Sequence, residues 1–175
     1  MQRFVLTLTI LVLFILEGTV FQVIASATWG LSWTTVPRFA LVCCIFISMF
    51  LGRREGLYYG FVFGFLQDVL YGQIIGLYTM SMMVASYFAG LIVLLFQRGF
   101  GMVFVTSTVI LFGHEWLLYS MFRLFASAPG DVQWMLNHQI LPTVILNVIF
   151  ALLTYVPIMK MCSKIQAKKR DLHAE

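Results

Sequence analysis

The sequence predicts an all-α integral membrane protein of six transmembrane helices, with the N- and C-termini both cytoplasmic. Three observations carry that reading. Of the 175 residues, 61% are hydrophobic and only 10% charged, the mean hydropathy is +0.95, and the apolar residues fall into six runs parted by short polar breaks. Soluble domains are about 45 to 50% apolar and about 25% charged, so the excess needs lipid as a second apolar solvent.

The runs are placed at 4–27, 37–51, 57–75, 77–96, 102–126 and 140–161. Most approach the roughly 20 residues that cross about 30 Å of hydrocarbon at about 1.5 Å per residue. The second is short and must begin earlier or sit where the bilayer thins. Glycine and β-branched residues inside the runs do not argue against helix, because an unpaired backbone group in lipid costs several kcal/mol and a helix satisfies it locally. The first run ends near Ala25-Ser26-Ala27, the form of a leader cleavage site. Its length and its Glu17 and Gln22 favour a retained span. Residues 1–162 then make one transmembrane domain, and 163–175 a basic cytoplasmic tail.

Alternate crossings sort the basic residues by side. Arg3, Arg53, Arg54, Arg98, Lys160, Lys164, Lys168, Lys169 and Arg170 collect on one side, leaving only Arg38 and Arg123 of the eleven for the other. The positive-inside rule makes the first side cytoplasmic. Trp29, Trp33 and Trp134 fall in the two longer loops this places outside, where indoles anchor at the interface. Topology thus accounts for the net charge of +4, and no polar face interleaves basic and aromatic residues as nucleic-acid binding would require. Lys160, Lys164 and Lys168 recur every four residues and run on into Lys169 and Arg170. That face suits anionic lipids of the inner leaflet, at about 1 kcal/mol per cation.

The third run carries the most specific pattern. Gly56, Gly60, Gly64, Asp68, Gly72 and Gly76 recur at four-residue spacing and form one stripe on a helix. Such a stripe lets another backbone approach closely, either a neighbouring helix of the same chain or a partner's transmembrane helix. Asp68 must face the protein, find a partner or be protonated, since an isolated carboxylate within a span costs a few kcal/mol. Gly72 and Gly76 let the chain turn just beyond it, so the carboxyl is placed to cap exposed amides.

Glu17 and Glu115 also lie within spans, and Arg38 and Arg123 near the outer ends of the second and fifth. Similar depth and opposite charge predict a buried polar cluster of Glu17, Arg38, Asp68, Glu115 and Arg123. An ion or proton route through Glu17, Asp68, His114 and Glu115 is the competing reading of the same residues. His114-Glu115 lacks the second histidine, four residues on, of a zinc protease motif. Nor is there a serine, histidine and aspartate set or a phosphate-cradling glycine loop, which predicts no enzyme, no metal and no cofactor. Cys43, Cys44 and Cys162 have no metal-site or disulfide spacing and read as structural thiols.

The run Gly60-x3-Gly64-x3-Asp68-x3-Gly72-x3-Gly76, after a second helix led by Pro37 and a short basic turn, resembles the rod shape-determining protein MreD family. Tyr87 also matches, while Arg38 stands where an acidic residue often follows the proline. The resemblance implies a fold similar to the substrate-binding subunits of energy-coupling-factor transporters. It also implies a non-catalytic scaffold of the cell-elongation machinery, the rod complex, in the bacterial inner membrane. The expected partner is MreC, through which the chain would couple MreB filaments to peptidoglycan synthesis by RodA and a class B penicillin-binding protein, maintaining cell shape. The alternative is a small-molecule, vitamin-type substrate-binding subunit of a transporter. The first run lacks the paired alanines, four apart, by which such subunits often dock.

Overall fold

The computed structural model describes residues 2–21, 35–96, 99–125 and 131–171. They form six helical segments and, among the described residues, no strand. These are α1 (Gln2–Leu16, continued by a π-helical turn Glu17–Phe21), α2 (Phe39–Leu51), α3 (Arg53–Tyr71), α4 (Leu77–Leu95), α5 (Phe100–Phe125) and α6 (Leu141–Asp171). A short helix, Val132–Met135, and a π-helical turn, Leu136–Ile140, lead into α6. Trp29, Trp33, the Ala25-Ser26-Ala27 site and Arg98 lie outside the described residues, as do the side chains of Lys169 and Arg170.

Among the described residues, four stretches are long and apolar enough to cross a membrane: Gln2–Thr19, Leu77–Leu95, Phe100–Phe125 and Val132–Lys168. The six expected spans thus appear as six helical segments, two of which fall short of that standard for separate reasons. In α3 the Arg53-Arg54-Glu55 start, Asp68 and three glycines lower the apolarity. Its outward face is nonetheless Tyr58, Phe61, Val62, Phe65, Val69 and Leu70, while Gly56, Gly60, Gly64, Gln67 and Asp68 are buried. Apolar outside and small or polar inside reverses the pattern of a helix packed in water, and it suits lipid.

The other short segment, α2, is the centre of the bundle. Every residue from Phe39 to Met49 is buried, and α2 packs against each of the other five helices. Thirteen residues rise only about 20 Å. Because protein covers the helix on all sides, lipid thickness does not set its length. The irregular lead-in at 35–38 would leave backbone groups unpaired at this depth, and α6 supplies the partners. Val36 N donates to Thr143 Oγ1 (3.1 Å) and Arg38 N to Asn147 Oδ1 (2.7 Å). Asn147 Nδ2 donates to the Val36 carbonyl (3.1 Å) and to that of Thr143 (2.8 Å). Irregular backbone within a membrane is tolerated when protein satisfies it in this way.

Both ends of the chain approach the α2–α3 turn at Gly52, which has a φ of 113°. Arg3 pairs with Glu55 at 2.9 Å, and the Gln166 amide donates to the Phe50 carbonyl. The start of α1 and the end of α6 therefore share one end of the bundle. Glu17, Arg38, Asp68 and Glu115 gather at the other.

Candidate functional site

Asp68 ends the stripe on α3 and reaches across to the first turn of α4. Oδ1 accepts from Tyr78 N at 3.0 Å, and Oδ2 accepts from Thr79 N at 2.8 Å and from the Thr79 hydroxyl. These amides are orphans of the helix start, where a carboxylate also meets the positive end of the helix dipole. The reversal between the helices needs Gly76, with a φ of 105°, in the left-handed region open to glycine. Gly72 N donates back to the Asp68 carbonyl at 2.9 Å. Asp68 is thus a cap delivered from a neighbouring helix. Asp68→Ala is expected to lower the stability of the lipid-reconstituted protein by about 2 kcal/mol, and Asp68→Asn, which keeps an acceptor oxygen, by less. Equal stability of wild type and Asp68→Ala would show that the carboxylate serves something other than the cap.

Glu17 does the same for α2. Its Oε2 accepts from Ala40 N at 3.1 Å and its Oε1 from Gln67 Nε2 at 3.3 Å. Arg38 stands at the junction, where its Nε donates to Glu115 Oε1 at 3.0 Å and its guanidinium lies 5.2 Å from the centre of the Tyr78 ring. Glu115 Oε1 also contacts His114 Nδ1 at 3.3 Å. Through Arg38, α2 is bonded to α5 and α6 and stacked on α4, and through Glu17 it is tied to α1 and α3. Of the five residues expected to cluster, Glu17, Arg38, Asp68 and Glu115 are buried, with one direct ion pair, Arg38–Glu115, among them. Asp68 bonds to amides and a hydroxyl instead of an arginine. The structure does not bring Arg123 in: it is exposed near the end of α5 and makes no ion pair among the described residues.

Beside this junction lies a cavity of about 430 Å³ bordered by Arg38, Glu115, Tyr71, Tyr78, Tyr119 and Gln139. Sequence reasoning missed Gln67, Thr79, Thr143 and Asn147. The available signal was that each is a polar residue at a buried position in an otherwise apolar helix.

The glycine stripe is filled from within the chain. A Cβ at Gly56 would stand 2.7 Å from Ser48 Cα of α2. At Gly60 it would stand 2.9 Å from the Met82 carbonyl oxygen, and at Gly64 2.7 Å from Thr79 Cα, both on α4. Contacts this short close the stripe against α2 and α4, so it is not an open groove for an outside helix. Gly90 mirrors it on α4, where a Cβ would lie 2.8 Å from Arg53 Cα. At the far end of the bundle, α6 runs unbroken past residue 162. Ile158, Cys162 and Ile165 are buried, and Lys160, Lys164 and Lys168 are exposed on one face. Cys43, Cys44 and Cys162 are free and buried. Among the described residues no three His, Cys, Asp or Glu side chains are grouped to hold a metal.

Comparison with known proteins follows the same lines. The family model described as rod shape-determining protein MreD matches residues 2–165. A Bacillus subtilis (strain 168) protein named rod shape-determining protein MreD is 22% identical over 171 residues, 98% of this chain and 99% of the relative. No solved structure matches.

Proposed function

The chain belongs to the rod shape-determining protein MreD family, a family of cell-shape proteins rather than enzymes, and from that premise we propose that it is a membrane scaffold of bacterial cell elongation. In this reading all six segments cross the cytoplasmic membrane in a fold like that of energy-coupling-factor substrate-binding subunits, with both termini inside. The scaffold binds MreC and, directly or through MreC, couples MreB filaments to RodA and a class B penicillin-binding protein. Lys160, Lys164 and Lys168 rest against anionic lipid.

One observation supports this most. The charged groups within the bundle are engaged with other groups of the same chain, while the outward faces of α1, α3 and α6 are apolar. What the molecule offers to others is its membrane-embedded surface. The test is purification of the tagged full-length chain from native membranes in mild detergent. MreC is expected to co-elute, and RodA, the transpeptidase and MreB to follow only when MreC is present; depletion of the chain is expected to round the cells. Rounding without recovery of MreC would sink the scaffold reading.

The 430 Å³ cavity favours a second reading, a vitamin-type substrate-binding subunit. Thermal stabilisation that grows with vitamin concentration would support it, and a flat response would remove it.

A further inference from the structure

The Arg38–Glu115 pair joins helices, and it also borders the cavity of about 430 Å³ beside them. That volume lies in the range that encloses small ligands, about 300–1,000 Å³. Leu118, Phe122 and Met135 supply apolar wall, Gln139 adds an amide, and Arg38 and Glu115 are the only charged residues among the described ones that line it. The two charged side chains are 7% and 5% exposed, so each is more than nine-tenths buried and still keeps some accessible surface.

The pair leaves both of its members incompletely bonded. Arg38 Nε donates to Glu115 Oε1, and Tyr78 covers one face of the guanidinium. The two terminal nitrogens donate to no described residue. On the carboxyl side, Oε1 accepts from Arg38 and contacts His114, while Oε2 takes no bond among the described residues. Unlike the sealed hydroxyl of Tyr119, these three atoms keep accessible surface. The cavity therefore meets free guanidinium N–H donors next to a bare carboxylate oxygen.

Charge narrows what can fill it. A lone anion would meet Arg38, but also Glu115 and the field of Glu17, which reaches Arg38. A lone cation would meet Glu115 and be repelled by Arg38. Either charge, once taken out of water, needs a paired partner to offset its desolvation. A molecule with both signs on neighbouring atoms satisfies the two open edges together and adds no net charge.

We propose that the cavity binds a small zwitterion, with its anionic group on the terminal nitrogens of Arg38, its ammonium on Glu115 Oε2, and its apolar part along Leu118, Phe122 and Met135. A free α-amino acid with a large side chain and the headgroup of phosphatidylethanolamine share this chemistry. The inference goes beyond the scaffold reading and rests on the cavity, not on the family role of the chain.

Calorimetric titration of the full-length protein in phosphatidylglycerol nanodiscs tests it with L-phenylalanine, phenylpropionate and phenethylamine, which share a ring and differ in charge. Phenylalanine is expected to bind, and each singly charged analogue at least about tenfold more weakly, a difference of about 1.4 kcal/mol. Two further arms separate the sources. If a free amino acid is the ligand, nanodiscs containing phosphatidylethanolamine leave its affinity unchanged. If the lipid headgroup is the ligand, those nanodiscs abolish phenylalanine binding, and glycerophosphoethanolamine competes with it in the phosphatidylglycerol discs. The double variant Arg38→Met, Glu115→Leu removes both charges together, the change a buried pair tolerates best, and is expected to lose binding while staying folded. Gln139→Trp, which narrows the cavity and leaves the pair intact, is expected to weaken binding as well. Equal binding of a singly charged analogue, wild-type affinity in the double variant, or no binding of either zwitterion would overturn the proposal. None of these results touches recovery of MreC, on which the scaffold reading depends.

Discussion

Glu115→Leu is expected to destabilise the protein by about 3–5 kcal/mol, the usual consequence of removing one member of a buried ion pair. Arg38 and Glu115 are 6% and 5% exposed, and the pair is closed at 3.0 Å. Deleting the carboxylate leaves the guanidinium with the Tyr78 face, 5.2 Å away, a weak substitute for a counter-charge, and with the attraction of the Glu17 carboxylate, which makes no ion-pair contact with it. The double variant Arg38→Met, Glu115→Leu is expected to recover most of the loss, since replacing both charges by apolar groups of similar size is often neutral. The Arg38 amide bond to Asn147 is backbone and survives in the double variant. Denaturant titration of the four proteins in lipid nanodiscs gives the coupling energy directly. If Glu115→Leu costs under about 1 kcal/mol, or the two single effects simply add, the junction at Arg38 does not hold the helices together.

Much of this architecture was legible in the chain, for reasons that differ by residue. The six apolar runs and the stripe ending at Asp68 express local periodicity, and periodicity survives without coordinates. Asp68 as a cap was readable because Gly72 and Gly76 announce a turn within reach of it. The membership of Glu17, Arg38 and Glu115 in one polar region followed from depth along the spans. What depth could not give was azimuth. Arg123 shares the level of the cluster but sits on the exposed side of α5, as a surface arginine whose stem lies along apolar surface does. The irregular lead-in before α2 reads as loop or helix in the sequence, and only α6, more than a hundred residues later, explains it through Asn147 and Thr143. The stripe itself was compatible with an internal or an external neighbour, a choice set by where α4 folds back.

That choice determines how substitutions in the stripe should behave. Gly60→Leu and Gly64→Leu are expected to unfold the α3–α4 hairpin rather than to block a partner selectively. Overpacking ordinarily costs about 1–3 kcal/mol because side chains shift to make room. Here even the first carbon meets backbone, at 2.9 Å from the Met82 carbonyl oxygen for Gly60 and at 2.7 Å from Thr79 Cα for Gly64. Backbone has no rotamer to change, and α4 cannot slide away at that end without breaking the bonds from Asp68 to Tyr78 and Thr79. A cost of at least about 3 kcal/mol, the top of the ordinary range or beyond, is the expected result, read as a loss of thermal stability and of folded protein in nanodiscs. Gly101→Leu, at a glycine with nothing within 4 Å of its would-be Cβ, is the matched control and should be tolerated. A Gly60→Leu protein that melts like wild type yet no longer retains MreC would overturn this expectation and make the glycine stripe a docking face.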